Sequence, residues 1–164
     1  MASPGSRILI RRLEGPSEVD VCARCMAGSE PWITLGRTYD HSEKILGDPS
    51  REVHVALADG KLAGFIILVM TGAFVGYIQT ICVMPEARGS GIGSRLIDFA
   101  EKRIFTESPN VFMCVSSFNT KAQDLYRRLG YQVVGELNDY IVAGHSEILL
   151  RKTIGPLAGF RKTT

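Results

Sequence analysis

The sequence lacks an uninterrupted apolar segment long enough to span a membrane. A membrane-spanning helix needs about 20 mostly apolar residues in a row, whereas the longest apolar run, residues 62–75, is broken by Gly64, Thr71 and Gly72. Residues 1–7 also lack the apolar core that is typical of a signal peptide. We therefore predict a cytoplasmic protein with no membrane partner.

A strong excess of either charge is also missing. The chain has 19 Lys and Arg against 17 Asp and Glu, which leaves a formal net charge of +2 at pH 7. Nucleic-acid-binding domains usually carry a clustered basic surface that shows as a high net positive charge. The balance predicts no nucleic-acid partner.

The four cysteines lack the partners that a metal site would need. Cys22 and Cys25 form a C-x-x-C pair, but the sequence has no second such pair and no His pair at zinc-ligand spacing. Cys82 and Cys114 lie in apolar strand patterns, where cysteine behaves as a small hydrophobic residue. We predict structural cysteines and no bound metal.

The hydrophobic pattern predicts a mixed α/β fold in one domain, residues 1–164, with a flexible tail over 155–164. A chain of 164 residues with 45% hydrophobic content can bury a full core. Its periodicities predict the order βααβββαβαββ, including one helical segment over 30–46 and a strand over 73–83. A crossover helix between two central strands predicts one parallel pair in a mostly antiparallel sheet.

A glycine-rich segment, residues 83–94, joins a predicted strand to a predicted helix. Glycines allow the backbone to approach an anion, and the first turn of the helix adds unpaired N–H groups and a positive dipole end. A P-loop would need a lysine after the glycines, and a dinucleotide fingerprint would need glycine where Ser94 stands. The segment predicts a diphosphate-binding loop. The alternative is a different phosphate binder, such as a nucleotide-dependent enzyme, that uses the same glycine turn.

Two motifs resemble signatures of the GNAT superfamily of N-acetyltransferases. The first is Arg-x-x-Gly-x-Gly over residues 88–93, which resembles the acyl-CoA pyrophosphate loop. The second is Asn-x-x-Ala-x-x-Leu-Tyr-x-x-x-Gly-Tyr over residues 119–131. The resemblance implies the GNAT fold, in which the parallel strands splay around the pantetheine arm. It also implies acetyl-CoA as cosubstrate, acetyl transfer to a primary amine by direct attack, and a possible homodimer.

The resemblance also implies roles for individual residues. In relatives, the main-chain N–H at the position of Val83 donates to the thioester oxygen, and Tyr126 supplies a proton to the departing thiolate. From the residues alone, Asn119 also suits a helix N-cap, and Tyr126 also suits core packing. The residues implied to bind the cofactor are Val83, Arg88, Gly89, Ser90, Gly91, Ile92, Gly93, Ser94, Asn119 and Tyr126.

A general base is not evident in the sequence. Relatives often place a glutamate on the strand before the glycine loop, where this chain has Gln79 and Thr80. Neither side chain is an effective base, although each could position a water molecule. Other candidates lie in segments that, in members of the family, line the acceptor side of the active site: Glu30, Tyr39, Asp139, Tyr140 and His145.

The absence of a glutamate on the strand before the glycine loop predicts an acceptor amine with a low pKa. Deprotonating a lysine side chain of pKa about 10.4 costs roughly 4.6 kcal/mol at pH 7, whereas an α-amine of pKa near 7.8 costs about 1 kcal/mol. We therefore predict an α-amine, on a small molecule or a protein N-terminus, as the acceptor. The alternative is a non-catalytic acyl-CoA-binding module, which binds acyl-CoA through the glycine loop but does not transfer the acetyl group.

Overall fold

The computed structural model describes residues 7–163, and these residues form a single seven-stranded sheet. The strands are β1 (Ile8–Arg12), β2 (Arg51–Ala58), β3 (Lys61–Val69), β4 (Tyr77–Val83), β5 (Asn110–Ser116), β6 (Gln132–Asn138) and β7 (Ser146–Thr153). Their order across the sheet is β1-β2-β3-β4-β5-β7-β6. Every neighbouring pair is antiparallel except β4 and β5, so the predicted sheet type is confirmed.

Four α-helices within residues 7–163 complete the predicted order of elements. They are α1 (Gly15–Ala27), α2 (Tyr39–Leu46), α3 (Ile92–Ile104) and α4 (Thr120–Arg128). The apolar residues of α3 recur every three or four positions, and Leu96, Ala100 and Ile104 are fully buried. This stripe packs α3 on the sheet and fixes where its N-terminus points. Across residues 7–163, no helix has both the length and the apolar character to cross a membrane.

The predicted helical segment over 30–46 is wrong in its first half. Residues 30–36 form turns, and α2 begins only at Tyr39. Gly36 has a φ of 69°, a left-handed conformation that a continuous helix cannot contain. The side chain of Thr38 then starts α2 by accepting a hydrogen bond from the amide of His41 at 3.2 Å.

Strands β4 and β5 pair over only a short stretch. The predicted strand over 73–83 begins four residues late, at Tyr77, because a turn closed by the Gly76 amide and the Val69 carbonyl precedes it. Only Tyr77 with Phe112 and Ile78 with Met113 are paired across the parallel ladder. Beyond them the two strands diverge and leave a gap in the sheet, as the resemblance implied.

The C-terminal residues return to the body of the domain. The amide of Ile154 donates to the carbonyl of Pro109, and that of Thr163 donates to the carbonyl of Thr106, both at 2.9 Å. Flexibility of residues 155–164 stays a prediction, and Thr164 lies outside the described residues.

Candidate active site

The glycine-rich segment forms an open loop at the start of α3. Gly89 and Gly91 have φ values of 74° and 83°, and Gly91 immediately precedes the helix. A Cβ atom built on either residue would meet no atom within 4 Å. The loop therefore needs glycine for its conformation, and it leaves its backbone open to a ligand at a helix N-terminus.

A cavity of about 460 Å³ lies in front of this loop, and we call it the cofactor cavity. It is lined by the predicted residues Val83, Arg88, Gly89, Gly91, Ile92, Gly93, Ser94, Asn119 and Tyr126. Ser90 is the exception, because its hydroxyl donates to the carbonyl of Ala87 within the loop. The structure thus brings both sequence motifs to one cavity.

The edge of β4 that faces the gap offers main-chain hydrogen-bonding groups. The amide of Met84 donates to the carbonyl of Ala63 on β3 at 2.9 Å. Because strand groups alternate in direction, the N–H of Val83 points away from β3, and so does that of Ile81. These donors, together with the glycine loop, fit coenzyme A, whose extended amide-bearing arm can lie along the gap with its diphosphate at α3.

The guanidinium of Arg88 lies at the mouth of the cofactor cavity. Its Nε donates to the carbonyl of Val83 and its Nη2 to the hydroxyl of Ser29, each at 3.3 Å. The side chain therefore places a positive charge between the end of β4 and the loop. A contact with the diphosphate stays a prediction.

Tyr126 lies on helix α4, and Asn119 immediately precedes this helix. The side chain of Asn119 caps the helix by accepting from the amide of Ala122 at 3.3 Å, so this residue serves the helix and also lines the cavity. Burial raises the pKa of Tyr126 to about 12. The phenol therefore keeps its proton at neutral pH and can act as a hydrogen-bond donor.

A second cavity of about 460 Å³, which we call the acceptor cavity, adjoins the first. Both cavities are lined by Pro31, Trp32, Ile81, Asn119 and Tyr126. The turn over residues 30–36, predicted to be helical, supplies two of these shared residues. Tyr126 consequently faces the place where a donor in one cavity and an acceptor in the other would meet.

The acceptor cavity contains a buried carboxylate that the sequence did not reveal as functional. Glu147 on β7 is paired across the ladder with Ser116 on β5 and is only 5% exposed. The hydroxyl of Ser116 donates to its Oε1 at 2.6 Å, and burial raises the pKa of the Glu147 carboxyl. The available signal was an acidic residue at the start of an apolar strand pattern.

Gln79 and the five predicted base candidates lie in different places. Gln79 lines the acceptor cavity, where it accepts a hydrogen bond from Nε of Arg51 at 2.7 Å. Tyr140 lines the same cavity and Glu30 lines the cofactor cavity. Tyr39, Asp139 and His145 line neither cavity: Tyr39 donates to Asp20 at 2.8 Å, Asp139 accepts from the amide of Gly144, and His145 packs on Phe118.

Two of the four cysteines are in contact with each other. Sγ of Cys25 on α1 lies 2.9 Å from Sγ of Cys82 on β4. The hydrogen bond with Cys82 lowers the pKa of Cys25 below its usual range. Within residues 7–163, no cluster of His, Cys, Asp and Glu side chains is arranged to hold a metal ion.

Comparisons with known proteins agree with this geometry. The sequence model of the acetyltransferase (GNAT) family matches residues 20–131. Spermidine N(1)-acetyltransferase of Escherichia coli K12 is 29% identical over 129 residues, which cover 76% of this chain and 69% of that protein. N-alpha-acetyltransferase RimI of Mycobacterium tuberculosis is 29% identical over 137 residues, covering 81% and 82%.

A solved structure shares the fold. The crystal structure of an aminoglycoside 6'-N-acetyltransferase complexed with coenzyme A superposes with a TM-score of 0.70 at 18% identity, covering 90% of this chain and 98% of that one. Fold and site together define an acyl-CoA-binding transferase. The chain belongs to the GNAT family, and it is an acetyl-CoA-dependent N-acetyltransferase.

Proposed function

We propose that the protein transfers an acetyl group from acetyl-CoA to a primary amine by direct attack, and that the acceptor is an α-amine of a small molecule or of a protein N-terminus. One observation carries the proposal. The two cavities meet at Tyr126, with an open helix N-terminus in one of them and the buried carboxylate of Glu147 in the other.

Glu147, Val83 and Tyr126 each have a separate role in the reaction. Glu147 takes the proton of the attacking amine, which supplies the base that Gln79 and Thr80 do not provide. The N–H of Val83 donates to the thioester oxygen as negative charge develops there; removing one such donor in other enzymes costs roughly 10²–10³ in rate. The C–N bond forms, the C–S bond breaks, and the sulfur leaves toward Tyr126.

Tyr126 acts by hydrogen bonding. Its pKa of about 12 lies above that of a thiol, about 8.5. The phenol therefore stabilises the departing thiolate by donating a hydrogen bond instead of surrendering its proton fully. With Glu147 as the base, the acceptor need not have an unusually low pKa, and the α-amine assignment gains its support from the likeness to RimI.

The test is release of free coenzyme A thiol from acetyl-CoA with a panel of amino acids, peptides, polyamines and aminoglycosides. For the best acceptor, Tyr126→Phe is expected to lower kcat by about 10²-fold and to leave the affinity for coenzyme A within about threefold. The loss follows from removing one hydroxyl while the ring still fills its site.

Tyr39→Phe is the matched control, because its hydroxyl bonds to Asp20 outside both cavities. It is expected to retain full activity. Thiol release with no amine of the panel, or equal activity in Tyr126→Phe and the wild type, would contradict the proposal.

A further inference from the structure

The acceptor cavity contains a cation that lacks an anionic partner. Nε and Nη1 of Arg37 are buried and find no hydrogen-bond partner among the described residues. Burial, and then the like charge of Arg51, lower the pKa of the Arg37 guanidinium, which still remains charged because the guanidinium is so strongly basic. Arg37 is partly exposed and lines the acceptor cavity, and buried guanidinium nitrogens without partners are unfavourable, so the position favours an anionic ligand.

Arg51 carries the same charge as Arg37 and cannot neutralise it. The side chain of Arg51 already has its own partners. Arg51 pairs with Asp48, and its Nε donates to Oε1 of Gln79 at 2.7 Å. Arg37, by contrast, forms no ion pair with any residue between 7 and 163. Arg37 therefore lines the acceptor cavity without an ion-pair partner among the described residues.

The same cavity contains the opposite charge at a different place. Glu147 lines it together with Arg37, but the two side chains do not pair with each other. Tyr77 also lines this cavity. A ligand with one charge of each sign would complement the charges that line this cavity.

We propose that the acceptor is a small aminocarboxylate, held with its amine at Glu147 and its carboxylate at Arg37. This inference rests on the proposed function and narrows its acceptor class. The apolar part of the remaining wall includes Leu35, Ile81 and Ile141, which can contact an apolar side chain of the acceptor. A peptide N-terminus carries an amide where the carboxylate would be, and a polyamine would bring a second cation to Arg37.

The test measures binding, so that it does not depend on turnover. Calorimetry with protein saturated with coenzyme A compares L-leucine, L-methionine and L-phenylalanine with their carboxamides, and with spermidine. At least one acid is expected to bind tenfold or more tightly than its amide, because a hydrogen bond to a charged group contributes about that much. At pH 7 the α-amine is mostly protonated in both acid and amide, so the difference in amine basicity cannot produce a tenfold preference.

Arg37→Met is expected to abolish the difference between acid and amide while it leaves the amide affinity within about threefold. Arg37→Lys should restore part of the preference, and Arg24→Met, at an exposed arginine of α1, should keep all of it. Equal affinity of acid and amide, no binding of any acid, tighter binding of spermidine, or an unchanged preference in Arg37→Met would overturn the inference. Failure of acetyl transfer with every amine would instead refute the proposed function.

Discussion

At the scale of single residues, Glu147 shows a conflict between stability and chemistry. A carboxylate that is 5% exposed and receives one hydrogen bond from Ser116 loses much of its hydration, and its pKa is raised in consequence. The raised pKa makes the group a better proton acceptor. It also means that ionising Glu147 opposes folding.

The sign of this effect gives a prediction for stability. The pKa is higher in the folded chain than in the unfolded chain, about 4.3, so stability is lost as pH rises from the unfolded value through the folded value. Glu147→Gln keeps the bond from Ser116 without the charge. We expect its Tm to exceed that of the wild type at pH 8, and the two to converge near pH 4.

The same substitution should lower activity, although it raises Tm at pH 8. Glu147→Gln is expected to lower kcat/KM by roughly 10²–10⁴ and to remove the acid limb of the pH profile. Glu136→Gln is the matched control, because Glu136 on β6 also accepts a serine hydroxyl, that of Ser146, but is exposed. A Tm at pH 8 below that of the wild type, or an acid limb that persists, would contradict the role of Glu147.

At the scale of secondary-structure elements, the site depends on how α3 begins. The stripe containing Leu96 and Ala100 fixes the helix on the sheet, and Gly91 turns the chain so that the first amides of α3 face the cofactor cavity. Loop and helix thus act together, because neither would present these amides to a diphosphate without the other.

Gly91→Ala should therefore weaken coenzyme A binding more than it weakens the fold. A non-glycine residue in a left-handed conformation costs about 1–2 kcal/mol, and a rearranged loop would also lose bonds to the diphosphate. We expect the Kd for coenzyme A, measured by calorimetry, to rise tenfold or more.

Gly60→Ala is the control that separates backbone strain from the loss of bonds to the diphosphate. Gly60 has a φ of 81° against 83° for Gly91, and both have open space at the Cβ position, but Gly60 lies in the β2–β3 turn. The Gly60 variant should lose a similar amount of stability with an unchanged Kd. An equal loss of affinity in both variants would show that strain alone, and not the loop, accounts for the result.

At the scale of the whole molecule, the sequence predicted what depends on local pattern and missed what depends on strand neighbours. Hydrophobic periodicity predicted the order of elements, because each helix and strand buries one face. The segment over 30–46 was mispredicted, since Gly36 and Thr38 interrupt a pattern that otherwise suits a helix. Glu147 was missed because its burial depends on the pairing of β5 with β7.

Arg37 illustrates the same limit. The sequence shows an arginine in a polar segment, and nothing in that segment indicates that its Nε and Nη1 are buried. Only the turn over residues 30–36, packed beside the gap, brings it to the cavity of Tyr77 and Gln79. The loop after β4 was predictable, in contrast, because a diphosphate site depends on the backbone of contiguous residues.

The gap divides the sheet into two halves that coenzyme A would join. Strands β1 to β4 and strands β5 to β7 share only two residue pairs across β4 and β5. The ligand should therefore stabilise the whole chain, by about 2.7 kcal/mol at 100 times its Kd, which raises Tm by roughly 5–10 °C. Hydrogen exchange should slow at the amides of Ile81 and Val83, which face the gap. ATP and NAD are the controls, and a larger shift with either would favour a nucleotide-dependent enzyme.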